Sequence, residues 1–90
     1  MNKPRRKQIQ EVIDKLGSLQ SEMEALIEEI ESIQSDEEEY RDNMPENLQG
    51  SERYERTDAA CDALESARDT LEESKDNIDD VISSLEEASE

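Results

Sequence analysis

The sequence feature that most constrains the fold is a run of apolar residues spaced alternately three and four positions apart. This spacing draws one stripe along an α-helix and is the heptad pattern of coiled coils, whereas a strand would alternate every second residue. With heptad positions lettered a to g, the pattern predicts that rows a and d form the contact stripe of a first helix, and Glu37 is the one position it skips. Row a contains Ile9, Leu16, Met23 and Ile30, and row d contains Val12, Leu19, Leu26, Ile33 and Tyr40.

The heptad pattern is interrupted in the middle of the chain. Pro45 cannot occupy a helix interior, and the residue before a proline avoids the helical region. Ser51 is a typical N-cap, and Glu52 and Glu55 follow it in a first turn, where the helix dipole favours acidic side chains. The sequence therefore predicts helices over about 4–42 and 51–88, with a connector over 43–50.

The second stretch repeats Leu64, Leu71, Ile78 and Leu85 at intervals of seven, mostly with small neighbours. If the chain folds at residue 47, apolar levels pair at residue numbers that add up to 94. The pairs are Ile9 with Leu85, Leu16 with Ile78, Met23 with Leu71, Ile30 with Leu64, and Tyr40 with Tyr54. This predicts an all-α fold, an antiparallel two-helix coiled-coil hairpin. A single continuous helix is the main rival, and Pro45 with Gly50 disfavours it.

Both helices carry apolar residues outside the predicted stripe. They are Ile13 and Ile27 in row e of the first helix, and Ala60, Ala67, Val81 and Ala88 in row g of the second. In addition, Arg68 and Lys75 interrupt row a of the second helix. A two-helix unit has a thin core. We therefore expect two hairpins to pair into a four-helix bundle, or one hairpin to dock on another protein. The alternative is that these residues only widen the stripe of a lone hairpin.

Composition excludes several kinds of site. The chain has no His and one Cys, which rules out the usual zinc sites, the Glu-x-x-His di-iron site and a nucleophile–His triad within one chain. The acidic run Ser35–Glu39 lies on a helix and lacks the alternating acids and glycine turn of a calcium loop. Since a thin hairpin offers no concave site for paired carboxylates, we expect neither a cofactor, nor a metal site, nor an enzyme.

Charge and hydropathy limit the partners and the compartment. The chain has 27 acidic and 10 basic residues, a net charge of -17, so nucleic acid is a poor direct partner. No apolar run approaches the roughly 20 residues of a membrane span, and none of signal-peptide length follows the basic start. Cys61 has no intrachain disulfide partner, and its apolar row a position indicates a buried structural thiol. These features predict a cytoplasmic protein without membrane contact.

The acidic side chains are the main candidate for function. Residues 8–90 contain all 27 acids and six bases, an excess of 21 negative charges. Spread over roughly 57 Å of helix, this is about one charge per 2.7 Å, against about 1.7 Å in duplex DNA. The pattern is compatible with mimicry of nucleic acid toward a basic protein surface, and equally with an exterior that only confers solubility. As representative surface charges we select Glu28, Glu31, Glu65, Asp69, Glu72 and Asp76.

Two further segments are candidate sites. The connector and its flanks contain Tyr40, Met44, Leu48 and Tyr54, which either plug the end of the core or form a recognition tip. The basic start contains Lys3, Arg5, Arg6 and Lys7. The predicted register places it beside the acidic end of the second helix, where the opposite charges would compensate each other. The alternative is a binding arm.

The segment Asn43-Met-Pro-Glu-Asn-Leu-Gln-Gly-Ser-Glu-Arg-Tyr-Glu55 lies between the basic start and an Ala/Leu/Ser/Glu-rich helix. In this arrangement the chain resembles small uncharacterised acidic helical-hairpin proteins of Firmicutes bacteria and their phages. The resemblance implies a bacterial or viral origin, a cytoplasmic location in the host, and no enzyme activity. In size and charge alone, the chain also resembles phage-encoded DNA-mimic inhibitors. We thus expect a non-enzymatic protein that binds a basic protein surface, with a structural or assembly coiled coil as the alternative.

Overall fold

Two long helices joined by a short connector run antiparallel along almost the whole chain. The computed structural model describes residues 1–90, and the helices pack against each other as the predicted all-α hairpin. The first helix, α1, spans Lys3–Asp42 and the second, α2, spans Glu52–Ala88, with one turn of 3₁₀ helix over Glu46–Leu48 between them. The molecule is a rod with extents of 70 × 15 × 13 Å.

Side-chain caps begin both helices. The carboxamide oxygen of Asn2 accepts a hydrogen bond from the Arg5 amide at 2.9 Å, and Pro4 lies in the first turn, where a missing amide costs nothing. The Ser51 hydroxyl accepts from the Tyr54 amide at 3.2 Å, followed by Glu52 in the first turn. These local signals fix the two helix starts and thereby the position of the connector.

The contact stripe of α1 consists of rows a and e, and the predicted use of row d is wrong. In row e, Ile27 is only 2% exposed, and Ile13 is half-buried. Row d faces solvent instead: the exposed fractions are 45% for Val12, 45% for Leu19, 49% for Leu26, 53% for Ile33 and 50% for Tyr40. Since Tyr40 is half exposed, the predicted Tyr40–Tyr54 pair does not form a core layer.

The correction has a physical reason. In α1 three neighbouring rows, d, a and e, contain apolar residues, and a single partner helix covers a stripe only about two rows wide. The hairpin turns rows a and e toward α2 and leaves row d out. Gln20 and Arg41 in row e reach across to α2, and these are polar contacts that the aliphatic side chains of row d could not make.

The stripe of α2 agrees with the sequence pattern, because Leu64, Leu71, Ile78 and Leu85 are all half-buried. The helix register is also close to the expected one. In four cross-helix side-chain contacts the residue numbers add up to 99: Gln20 with Asp79, Glu24 with Lys75, Glu31 with Arg68, and Arg41 with Asp58. The two sums describe the same register, because row e lies four positions after row a in α1 and one position after row d in α2. Pairs between the two e rows, and between row b of α1 and row a of α2, therefore add up to five more than pairs between row a of α1 and row d of α2.

The core is thin. Of 90 residues only four are buried, namely Ile27, Met44, Cys61 and Thr57. Thr57 satisfies its hydroxyl by donating to the Arg53 carbonyl oxygen at 2.9 Å. The hairpin therefore leaves much of its apolar side-chain area in contact with water, chiefly along row d of α1.

Replacing Ile27, the most buried isoleucine, tests whether row e of α1 packs against α2. We expect Ile27→Ala to lower the free energy of unfolding by about 2–4 kcal/mol, because it leaves a cavity between the helices. The matched control is Glu28→Ala at the neighbouring exposed position, which we expect to change it by less than about 0.5 kcal/mol. Urea denaturation followed by circular dichroism measures both. Similar small effects would contradict the burial of row e.

Candidate interaction surfaces

One side of the hairpin, here called the acidic face, carries rows b and f of α1 beside rows e and b of α2. Two observations place these rows together: Glu31 of α1 pairs with Arg68 of α2, and Glu31, Glu38 and Glu65 line one open depression. The carboxylates of this face are Asp14, Glu24, Glu28, Glu31, Glu38, Asp42, Glu55, Asp58, Asp62, Glu65, Asp69, Glu72, Asp76, Asp79 and Glu86.

Arg68 is the main cation of the acidic face. Its Nε lies 3.2 Å from a Glu31 carboxylate oxygen across the helix interface. Its Nη1 lies 2.9 Å from Asp69 and 2.9 Å from Glu72. Hydrogen bonds to Asp69 and Glu31, with the nearby charge of Glu72, raise the pKa of Arg68 above its ordinary value. One guanidinium at a stripe position thus links both helices and partly neutralises three carboxylates.

Lys75 and Arg41 form the other cross-helix ion pairs. The Lys75 ammonium pairs with Glu24, which raises the pKa of Lys75. The Arg41 guanidinium bonds to Asp42 at 3.1 Å and to Asp58 at 2.8 Å, and these two hydrogen bonds raise the pKa of Arg41. Each cation lies at the edge of the α1–α2 interface. The same groups therefore link the two helices and reduce the net negative charge of the acidic face.

All six carboxylates selected from the sequence lie on the acidic face. Three of them, Glu31, Asp69 and Glu72, share Arg68. A fourth, Glu65, lines the depression beside that guanidinium. Glu28, Glu65 and Asp76 are exposed and form no ion pair. The structure therefore gathers the six on one surface, with three of them outside any ion pair.

The opposite side, here called the apolar face, combines row d of α1 with rows g and c of α2. Tyr40 of row d lines a depression with Arg53 of row g and Arg56 of row c, which places these three rows side by side. From Ala60 to Ala88, rows g and c contain no charged residue: Ala60, Ala63, Ala67, Thr70, Ser74, Asn77, Val81, Ser84 and Ala88. The acids of α2 are all in rows b, e and f.

The four residues predicted at the connector tip differ in burial, two facing the core and two facing solvent. Met44 is buried and Tyr54 half-buried, so both fill the end of the helix interface. Tyr40 and Leu48 are exposed and line an open depression of about 540 Å³ together with Pro45. The tip thus closes the core with one pair of residues and presents the other pair to solvent.

The basic start forms no direct ion pair with the end of α2. None of the ion pairs involves Lys3, Arg5, Arg6 or Lys7, so compensation of the two opposite charges at longer range stays a prediction. All four side chains are exposed, as are Glu86 and Glu87 opposite them. Exposed side chains of this length gain little from a fixed ion pair because water solvates each charge well.

Cys61 is a buried free thiol, and burial raises its pKa. No group of three or more His, Cys, Asp or Glu side chains is arranged to hold a metal ion. Neither long helix contains a stretch apolar enough to span a bilayer. The chain matches no protein-family model, no curated protein and no solved structure.

The sequence reasoning missed the roles of Arg41, Arg68 and Lys75 and the existence of the apolar face. The sequence did contain a signal for the roles of the cations, because Arg68 and Lys75 occupy row a of α2 among acidic residues. The sequence signal for the apolar face was that the acids of α2 are confined to three rows. Neither signal reveals the rotation of α1, which depends on contacts between the helices.

Removing the central cation tests its linking role. We expect Arg68→Gln to lower the melting temperature more than Arg56→Gln, because Arg56 pairs only with Glu52 one turn away on its own helix. Both variants lose the same charge. The difference should shrink between about 20 mM and 1 M salt, where the Debye length falls to about 3 Å. Equal losses at low salt would contradict a cross-helix role for Arg68.

The buried thiol gives a pH test. The folded chain holds the Cys61 proton more tightly than the unfolded chain does, because burial raises the pKa in the folded state. Stability should therefore fall as pH rises past the unfolded thiol pKa of about 8.5. Urea denaturation at about pH 7.5 and 9.5 measures this fall, and Cys61→Ala should show a smaller one. The same fall in both proteins would contradict the burial of the thiol.

Proposed function

We propose that this protein is a non-enzymatic interaction protein that binds a basic surface of another protein through its acidic face. The single observation that carries the proposal is the concentration of carboxylates on one side of a straight rod. The cations of this side are Arg41, Arg68 and Lys75 along the helix interface and Lys3 and Lys7 at one end. Such a face attracts a cationic groove at long range and guides its approach.

The dimensions and charge spacing of the rod are similar to those of a nucleic-acid strand. A net charge of -17 over 70 Å gives about one charge per 4 Å, close to the value of about 3.4 Å for one nucleic-acid strand. The rod is narrow, with extents of 15 and 13 Å across. A protein groove that accepts a polyanion could accept this face, so the finer proposal is inhibition of a nucleic-acid-binding protein, as in the phage-encoded mimics that the chain resembles.

A matched pair of charge variants tests the acidic face. The first variant combines Glu28→Gln, Glu65→Gln, Asp69→Asn and Asp76→Asn, all on the acidic face. The control combines Glu22→Gln, Glu29→Gln, Glu73→Gln and Asp80→Asn, exposed positions outside it. Both lose four negative charges. We expect the first to lose capture of nucleic-acid-binding proteins from a bacterial lysate at about 0.15 M salt, and the control to retain it.

The mode of release completes the test. Bound proteins should elute below about 0.5 M salt and be displaced by added DNA or RNA, because both compete for the same cationic groups. Capture that survives 1 M salt, or that falls equally in both variants, would contradict binding through the acidic face.

A second candidate function, a structural or assembly module that acts through apolar docking, is favoured by a different observation. Row d of α1 exposes five large side chains in a regular line. An aligned apolar row of this kind is typical of a helix that packs on a further helix. The two candidates use opposite sides of the rod.

A further inference from the structure

The apolar face has the features of an incomplete core. The hairpin buries only three apolar side chains but exposes Val12, Leu19, Leu26 and Ile33 along one line. Burial of such side chains stabilises by roughly 1.5–3 kcal/mol each. We propose that a second copy of this chain covers the apolar face, so that two hairpins form a four-helix bundle. This inference rests on the second candidate function and does not depend on binding through the acidic face.

The distribution of charge selects a second copy as the occupant. Two chains of net charge -17 repel each other, so a contact between them requires a surface without carboxylates. Rows g and c of α2 provide that surface from Ala60 to Ala88. A basic partner would instead be matched by carboxylates within the contact, and on this helix they are absent from the apolar face.

The face is also complementary to itself. Its α1 half is a row of bulky side chains, and its α2 half consists mostly of alanine and serine. A two-fold axis along the rod places α1 of one copy on α2 of the other, so that bulky residues meet small ones twice. A two-fold axis across the rod would instead set bulky against bulky, and would bring the acidic row g of α1, Glu22, Glu29 and Asp36, against its own copy.

The available area fits a stable dimer. From Val12 to Tyr40 the face is about 42 Å long at about 1.5 Å per residue. The rod is 15 Å wide. The product, about 630 Å² per partner, lies within the range of about 600–1,000 Å² per partner that specific protein interfaces bury. In the resulting bundle the tips lie at the same end, and the two acidic faces point outward on opposite sides.

Sedimentation equilibrium on matched variants tests the surface. The native chain should have twice the mass of a monomer at micromolar concentration. Leu26→Gln and Ala67→Gln should shift the mass toward the monomer with helical content unchanged, since both positions are exposed in the hairpin. Ala59→Gln introduces the same bulk at an exposed position outside the apolar face, and this control should remain dimeric. A monomeric native chain up to millimolar concentration, or a dimer that persists in both variants, would overturn the proposal.

A spin-label distance tests the orientation. In Cys61→Ala protein labelled at Gln49→Cys, both labels should lie at the same end of the bundle, within roughly 20–35 Å. A distance near the 70 Å length of the rod would reject the axis along the rod.

The effect of salt distinguishes the dimer from binding through the acidic face. Screening should strengthen the dimer and weaken the capture of a basic partner protein. If the native chain is monomeric and still captures basic proteins, the dimer proposal is rejected and binding through the acidic face is not.

Discussion

The structure depends on how much of α1 a single partner helix can cover. Three neighbouring rows of α1 contain apolar residues, and only two of them fit against α2. Rows a and e face α2, and Gln20, Glu24, Glu31 and Arg41 contact α2 from that side. Exposed contacts of this kind stabilise weakly, so they are matched to the rotation of α1 about its own axis without accounting for it.

This rotation creates two chemically different sides. The polar contacts lie on the acidic face, so its cations serve the hairpin and are not free to neutralise the remaining carboxylates. On the other side, row d of α1 is turned outward beside the uncharged rows of α2. A rod with one acidic and one apolar side can self-associate through the second while it presents the first, and dimerisation would double the number of acidic faces in one particle.

The hairpin itself was predictable, because periodicity, Pro45 and the Ser51 cap are local signals that the sequence carries directly. The carboxylates selected from composition, such as Glu31 and Asp69, lie together on one face, yet their shared cation Arg68 was interpreted only as an interruption of the stripe. The contact row of α1 could not be predicted, since Leu26 and Ile27 are both apolar and adjacent. Which of them is buried depends on how the two helices meet, and therefore on contacts between residues far apart in the chain.

The most direct test of this account is an isotope-edited methyl NOE measurement, in which mixed labelled and unlabelled chains separate contacts within a chain from contacts between chains. The account predicts that the methyl groups of Ile13 and Ile27 show strong cross-peaks to α2 of the same chain. Those of Leu26 and Ile33 should show much weaker ones. Strong cross-peaks within the chain from Leu26 and Ile33, with Ile27 lacking them, would contradict the rotation of α1 and with it the existence of the apolar face.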